Sequence, residues 1–191
     1  MDPHPPKLDD DYLDAVLIGG REEREVLMVE YDPSWPKLYE EHRDRILNAI
    51  GDSVRMVEHI GSTAVPGLAA KPIIDVMVTV DHPDDETRYL GPLEDAGYEL
   101  RVREGGHRML RTPERDVQVH IWQAGSDDER RQLVFRDHLR SHPADREAYE
   151  ALKRSLAGRW PDVNYYAEAK GPFIKRVVCR RRLNTDPLSP P

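Results

Sequence analysis

The sequence predicts an α+β domain, a mixed β-sheet followed by a helical C-terminal half. Three observations predict it. Ile73-Ile74-Asp75-Val76-Met77-Val78-Thr79-Val80 is an almost unbroken apolar run, as a central, doubly covered strand requires. Several short β-patterned segments with turn signals fall between Val54 and Trp122. From Asp127 onward the pattern is helical, divided by His142-Pro143 and Trp160-Pro161.

Each element has its own signal. Residues 1–25 are acidic with three early prolines and read as a flexible N-terminal segment. The alternative is that Tyr12, Leu13, Val16, Leu17 and Ile18 dock as one or two helical turns, ended by Gly19-Gly20. The ordered domain spans 26–183. Leu27 to Tyr31 reads as a short strand. Asp32-Pro33-Ser34-Trp35-Pro36 is a helix start, with Ser34 or Asp32 as N-cap and a proline in the first turn. The helix runs to about Ala49 on a stripe of Trp35, Leu38, Tyr39, His42, Ile46 and Ile50. Val54 to Ile60 is a strand, residues 61–72 a loop and residues 73–80 the strongest strand. Residues 84–96 look helical. Tyr98 to Arg103 and His107 to Arg111 form a hairpin through Glu104-Gly105-Gly106, and Val117 to Trp122 is a further strand. Helices follow at 128–141, 143–159 and 162–182. Residues 184–191 are a proline-rich disordered tail.

Composition excludes several classes. The 191 residues suit one domain with tails, burying about 70% of the chain's surface. No run of ~18 apolar residues offers a transmembrane helix, and residues 1–7 lack a signal-peptide core. The single Cys179 leaves no intrachain disulfide and no CxxC metal site. A cytoplasmic location follows. The net charge of −8 disfavours nucleic acid as a partner, although a total can hide basic patches.

The chemistry concentrates in His59-Ile60-Gly61-Ser62-Thr63-Ala64-Val65-Pro66-Gly67-Leu68-Ala69-Ala70-Lys71-Pro72-Ile73-Ile74-Asp75. Gly61 lets a backbone approach a ligand closely. Ser62 and Thr63 offer hydroxyl and N–H groups to a phosphate, and Lys71 offers a counter-charge. Asp75 is a carboxylate on an apolar strand, costly there unless it is paired or holds a metal. Taken singly, Gly61-Ser62 is an ordinary turn and Asp75 a carboxylate satisfied by loop N–H groups.

This segment resembles the signature of the GrpB family. The resemblance runs from about Val29 to Val178. It includes Tyr31-Asp32-Pro33-Ser34-Trp35, Val119-His120-Ile121-Trp122, the stretch from Leu133 to Arg140, Tyr149 with Lys153, and Tyr166 with Lys170. It implies a mixed β-sheet of nucleotidyltransferase type with a C-terminal helical bundle. It also implies a Gly-Ser that holds nucleotide phosphates, and three carboxylates on neighbouring strands that hold two divalent metals. Gly61-Ser62 and Asp75 match. Met77 stands where the second acid belongs, and Gln118, His120 and Trp122 supply no third.

Two readings survive that departure. In one, Asp75, His59 and His120 hold a divalent ion (Mg, Mn or Zn), with the imidazoles favouring a softer one, or His120 acts as a general base beside Asp75. In the other, the phosphate loop remains without catalytic metals. The plainer alternatives are a core histidine for His120 and a strand residue bonding the Gly61 loop for His59. Arg136, Arg140 and Lys170 on the helices add cations for a phosphate, unless they form solvated faces or, for Arg136-Asp137, a structural pair. The expected ligand is a nucleotide or phosphorylated small molecule, with transfer of a nucleotidyl group as the enzyme reading. The rival is a protein partner: the family's domains also occur fused behind dephospho-coenzyme A kinase, where they are associated with its folding. No GxxxxGK[ST] loop is present, so such help would be given in trans.

Overall fold

The computed structural model describes residues 10–21, 26–157, 159 and 163–185, the side chains of 163 and 181–185 excepted. The strands are β1 (Met56–Ile60), β2 (Ile74–Val80), β3 (Glu99–Glu104), β4 (His107–Arg111) and β5 (Val117–Gln123). The helices are α1 (Asp10–Val16), α2 (Trp35–Ile50), α3 (Leu90–Asp95), α4 (Asp127–Ser141), α5 (Pro143–Leu156), α6 (Val163–Ala169) and α7 (Gly171–Thr185). The strands form one mixed sheet in the order β1-β2-β5-β4-β3. Only β2 and β5 run parallel; every other neighbouring pair is antiparallel. The α+β expectation therefore holds.

Strand alternation divides the sheet into two faces. Ile74, Val76 and Val78 of β2 and Val119 and Ile121 of β5 pack beneath Tyr39, Ile46 and Ile50 of α2 and Leu93 of α3. Each fully buried Ile or Leu is worth about 1.5–3 kcal/mol of transfer free energy, so the α2 stripe holds this layer. On the other face Ile60, Met77 and Trp122 meet Leu133 of α4. The loop after β1 carries a third cluster, in which Val65 and Leu68 pack with Leu139, Tyr149, Phe173 and Val177 of α4, α5 and α7. That loop is thus held between the sheet and the C-terminal helices.

The boundaries depart from expectation where a proline or a missing partner intervenes. Leu27 to Tyr31 is no strand: only Val29 bridges Ala70. The helix expected over 84–96 shrinks to α3 behind a 3-10 turn at Glu86–Arg88. Pro92 has no N–H for the Arg88 carbonyl, so a helix cannot run through. Pro172 likewise cannot bond the Glu168 carbonyl, and the helix expected over 162–182 becomes α6 and α7, with Lys170 at the break.

Of the two readings of residues 1–25, docking is what residues 10–21 show. Leu13 is buried and Leu17 bridges Val102 of β3. The Arg101 guanidinium donates to the Ile18 and Gly20 carbonyls. Residues 1–9, 22–25 and 186–191, with Trp160-Pro161, lie outside the described residues. Among those described, no helix is long and apolar enough to cross a membrane.

Candidate functional site

The site begins at Gly61. Its φ of +71° and ψ of −170° lie in a region almost confined to glycine. A Cβ there would fall 2.3 Å from Asp75 Oδ2. The missing side chain lets the turn after β1 close onto the carboxylate of the adjacent strand. Asp75 is the one residue of β2 that is not buried, and its side chain keeps 28% of its exposure. His120 of β5 shares that face, with Nε2 3.6 Å from Asp75 Oδ1.

The cations come from two directions. Lys170, at the α6–α7 break, lies over the Tyr166 ring, its Nζ 4.4 Å from the centroid. Burial pulls its pKa down to about 8, opposed by the negative charge of Asp75 and assisted by the positive charge of Lys71. Asp75, Lys71 and Lys170 therefore feel one another. Ser62 hydrogen-bonds the Tyr149 hydroxyl, whose pKa is raised by burial first and also by Asp75.

Lys153, noted in the sequence beside Tyr149 but not counted among the site residues, is a further cation here. It is 1% exposed, donates from Nζ to the Ala69 carbonyl, and stands 5.1 Å from the Tyr149 ring centroid. Burial and the charge of Lys170 bring its pKa down to about 7. Glu150, on the same helix, accepts from Ala69 N at 3.0 Å, so α5 grips both polar groups of one loop residue.

Four expected site residues have other work. His59 faces α2, in register with Val76 while Ile60 is in register with Asp75. It stacks on Tyr39 at 4.7 Å between centroids, and burial drives its pKa down to about 4. Its Nε2 meets Thr63 Oγ1 at 3.0 Å, and that hydroxyl donates to the Ile73 carbonyl at 3.0 Å. With its one proton spent on Ile73, Thr63 accepts from His59 Nε2–H. His59 and Thr63 thus pin the loop, which corrects the metal role for the first and the phosphate role for the second. Arg136 is buried and donates to Glu58 at 2.6 Å, the His59 carbonyl at 2.9 Å and Asp137 at 2.8 Å. It fastens α4 to β1, as the structural alternative for Arg136-Asp137 required. Arg140 donates to the Ala64 carbonyl at 3.0 Å and so holds the loop from outside.

The donor set does not fit a two-metal centre. Met77, fully buried, is in register with Glu58 on one side and His120 on the other. Glu58, the carboxylate nearest in register, is taken by Arg136. Among the described residues no three His, Cys, Asp or Glu side chains gather as a metal site.

Beyond His120 the polar chain continues. His107 of β4 lies opposite Trp122, and the rings of His107, His120 and Trp122 are parallel within 13°, with centroids 4.8–5.4 Å apart. His107 Nε2 is 3.2 Å from His120 Nδ1, and His107 Nδ1 is 3.4 Å from Glu104 Oε2. The Tyr12 hydroxyl of α1 donates to the other oxygen of Glu104. Sequence reasoning placed His107 in a hairpin and stopped there; its partners depend on the β4–β5 register.

The model of the GrpB protein family matches residues 25–180. The chain belongs to the GrpB family. A UPF0157 protein of Streptomyces coelicolor is 49% identical over 171 residues, covering 89% of this chain and 91% of that one. Another, of Halalkalibacterium halodurans, is 40% identical over 177 residues, covering 90% and 91%. The crystal structure of a conserved GrpB protein from Enterococcus faecalis superposes with a TM-score of 0.71 at 37% identity, covering 81% of this chain and 96% of that one. A dephospho-CoA kinase of Mycolicibacterium paratuberculosis is 30% identical over 185 residues, covering 81% of this GrpB chain but only 46% of the kinase.

Proposed function

We propose that this GrpB protein binds a phosphorylated small molecule, in the first instance a nucleotide, on the sheet face that carries Asp75. The observation that carries the reading is Lys170. A half-buried ammonium over the Tyr166 ring, partly desolvated within the field of Asp75 and Lys71, is a ready counter-charge for an anion. Gly61, Ser62, Lys71 and Lys170 would receive the phosphate, and Asp75 with His120 the group attached to it. A Gly-Ser after one strand and an acid on the next also support a sheet of nucleotidyltransferase type. Transfer through two metals is not part of the proposal, because Met77, Gln118 and Trp122 supply no carboxylate.

A thermal-shift titration with nucleotides and coenzyme A precursors, with and without divalent metal, tests the reading. Ligand at about 100 times its dissociation constant adds roughly 2.7 kcal/mol of stability. The shift should vanish in Lys170→Gln and in Asp75→Ala, with both variants still folded by circular dichroism. No shift with any phosphorylated ligand would overturn it.

The match to the dephospho-CoA kinase favours a second reading, in which the domain assists such a kinase in trans. Increased recovery of active kinase on co-expression, unaffected by Asp75→Ala, would separate it from the first.

A further inference from the structure

We infer that Glu104 and His107 are positioning residues that fix the tautomer of His120, leaving its Nε2 as a proton acceptor for a hydroxyl or ammonium group of a ligand held against Asp75. The inference uses the proposed binding site only for the identity of that donor; the tautomers follow from the protein alone.

A carboxylate only accepts, so Glu104 requires the proton of neutral His107 to sit on Nδ1. His107 Nε2 then carries a lone pair and itself needs a donor. The group facing it at 3.2 Å is His120 Nδ1. Neutral His120 therefore holds its proton on Nδ1, and its lone pair is on Nε2, on the side of Asp75. The parallel rings of Trp122, His107 and His120 hold that orientation.

Burial keeps His107 neutral by lowering its pKa, as this alternation requires. Glu104 and, from the start of α4, Asp128 oppose that shift, while the His120 charge assists it. The Tyr12 hydroxyl, donating to Glu104, keeps the acid end of the chain in its accepting form.

The consequence lies at the far end. A lone pair facing a carboxylate across 3.6 Å is no hydrogen bond. Both groups accept, so what fits between them is a donor. A ligand X–H there loses its proton to Nε2: the N–H bond forms, the X–H bond breaks, and the electron pair stays on X. The resulting imidazolium donates to Asp75 from Nε2 and to His107 from Nδ1, so both of its protons are received. A phosphorylated ligand that also bears a hydroxyl or amine matches this site better than inorganic phosphate.

Nitrogen-15 NMR of the full chain at mildly alkaline pH tests the inference without any ligand, the His120 signals being assigned by their loss in His120→Gln. The expected result is His120 and His107 both protonated at Nδ1, the less common tautomer of free histidine. Glu104→Gln is the second arm. With its oxygen kept by Tyr12, the amide nitrogen donates to His107 Nδ1, and both imidazoles should switch to Nε2–H. Wild-type His120 protonated at Nε2, or a Glu104→Gln spectrum identical to wild type in both histidines, would overturn the assignment. Failure of every phosphorylated ligand to bind, with the tautomers as stated, would count against the proposed function and leave the relay standing.

Discussion

At the scale of single residues, the contact between Gly61 and Asp75 governs how closely the loop and the sheet approach. Gly61→Ala meets two obstacles, an unfavourable φ and a Cβ only 2.3 Å from Asp75 Oδ2. Together they should destabilise the protein by roughly 2–4 kcal/mol in urea denaturation. In an Asp75→Ala background the φ cost remains with only a milder 3.2 Å approach to the Cβ of residue 75, so the same substitution should cost less, about 1–2 kcal/mol. Equal costs in the two backgrounds would show that the carboxylate is not what excludes the methyl. Lys153 gives a pH signature. Its pKa falls from 10.5 to about 7 on folding, so between those values the unfolded chain holds a proton that the folded one does not. Stability should therefore rise as pH rises through that window, and Lys170, lowered to about 8, adds in the same direction. Lys153→Met should flatten the rise and favour the folded state most below the window, as read from denaturation midpoints across pH.

Elements are where the reading of the sequence was strongest and where it stopped. The apolar run of β2 and the α2 stripe were legible because each maps directly onto a buried face. The breaks at Pro92 and Pro172 were equally present as residues, but helical periodicity extends across a missing N–H without registering it. Asp75, Gly61 and His120 were legible as oddities within regular patterns. His107 was not, since only antiparallel register brings it beside His120 and Trp122. Nor was Arg136 separable from a ligand-binding arginine before α4 was known to lie against β1. That correction is testable. Arg136→Met should cost about 2–3 kcal/mol, because Glu58 and the His59 carbonyl lose their donor. The ligand-induced stabilisation should be unchanged in size; its loss would return Arg136 to the binding site. The same helix opens with Ser126 accepting from Glu129 N at 3.2 Å and with three acids in its first turn. Ser126→Ala should lower stability by about 1 kcal/mol in the same urea experiment.

For the molecule as a whole, α1 and the segment after it close one border of the sheet. Leu17 bridges Val102, Arg101 is occupied by two of the segment's carbonyls, and Asp10 accepts from the Tyr165 hydroxyl of α6 at 2.6 Å. Deleting residues 1–21 should uncover the outer side of β3, lower the melting temperature and promote self-association, seen by sedimentation velocity. A deletion variant as monomeric and as heat-stable as the full chain would show that the segment guards nothing. The parallel pairing of β2 with β5 carries one more consequence. The β1–β2 pair is antiparallel with its strands close in sequence, and so is the β3–β4–β5 meander, whereas the β2–β5 seam joins segments some forty residues apart. Contacts of that kind form late, because the intervening loop must be closed before they return any free energy. Asp75 and His120 sit on opposite banks of the seam. A ligand spanning them is a clasp across the last join to be made, and its main kinetic effect would be on how slowly the halves come apart.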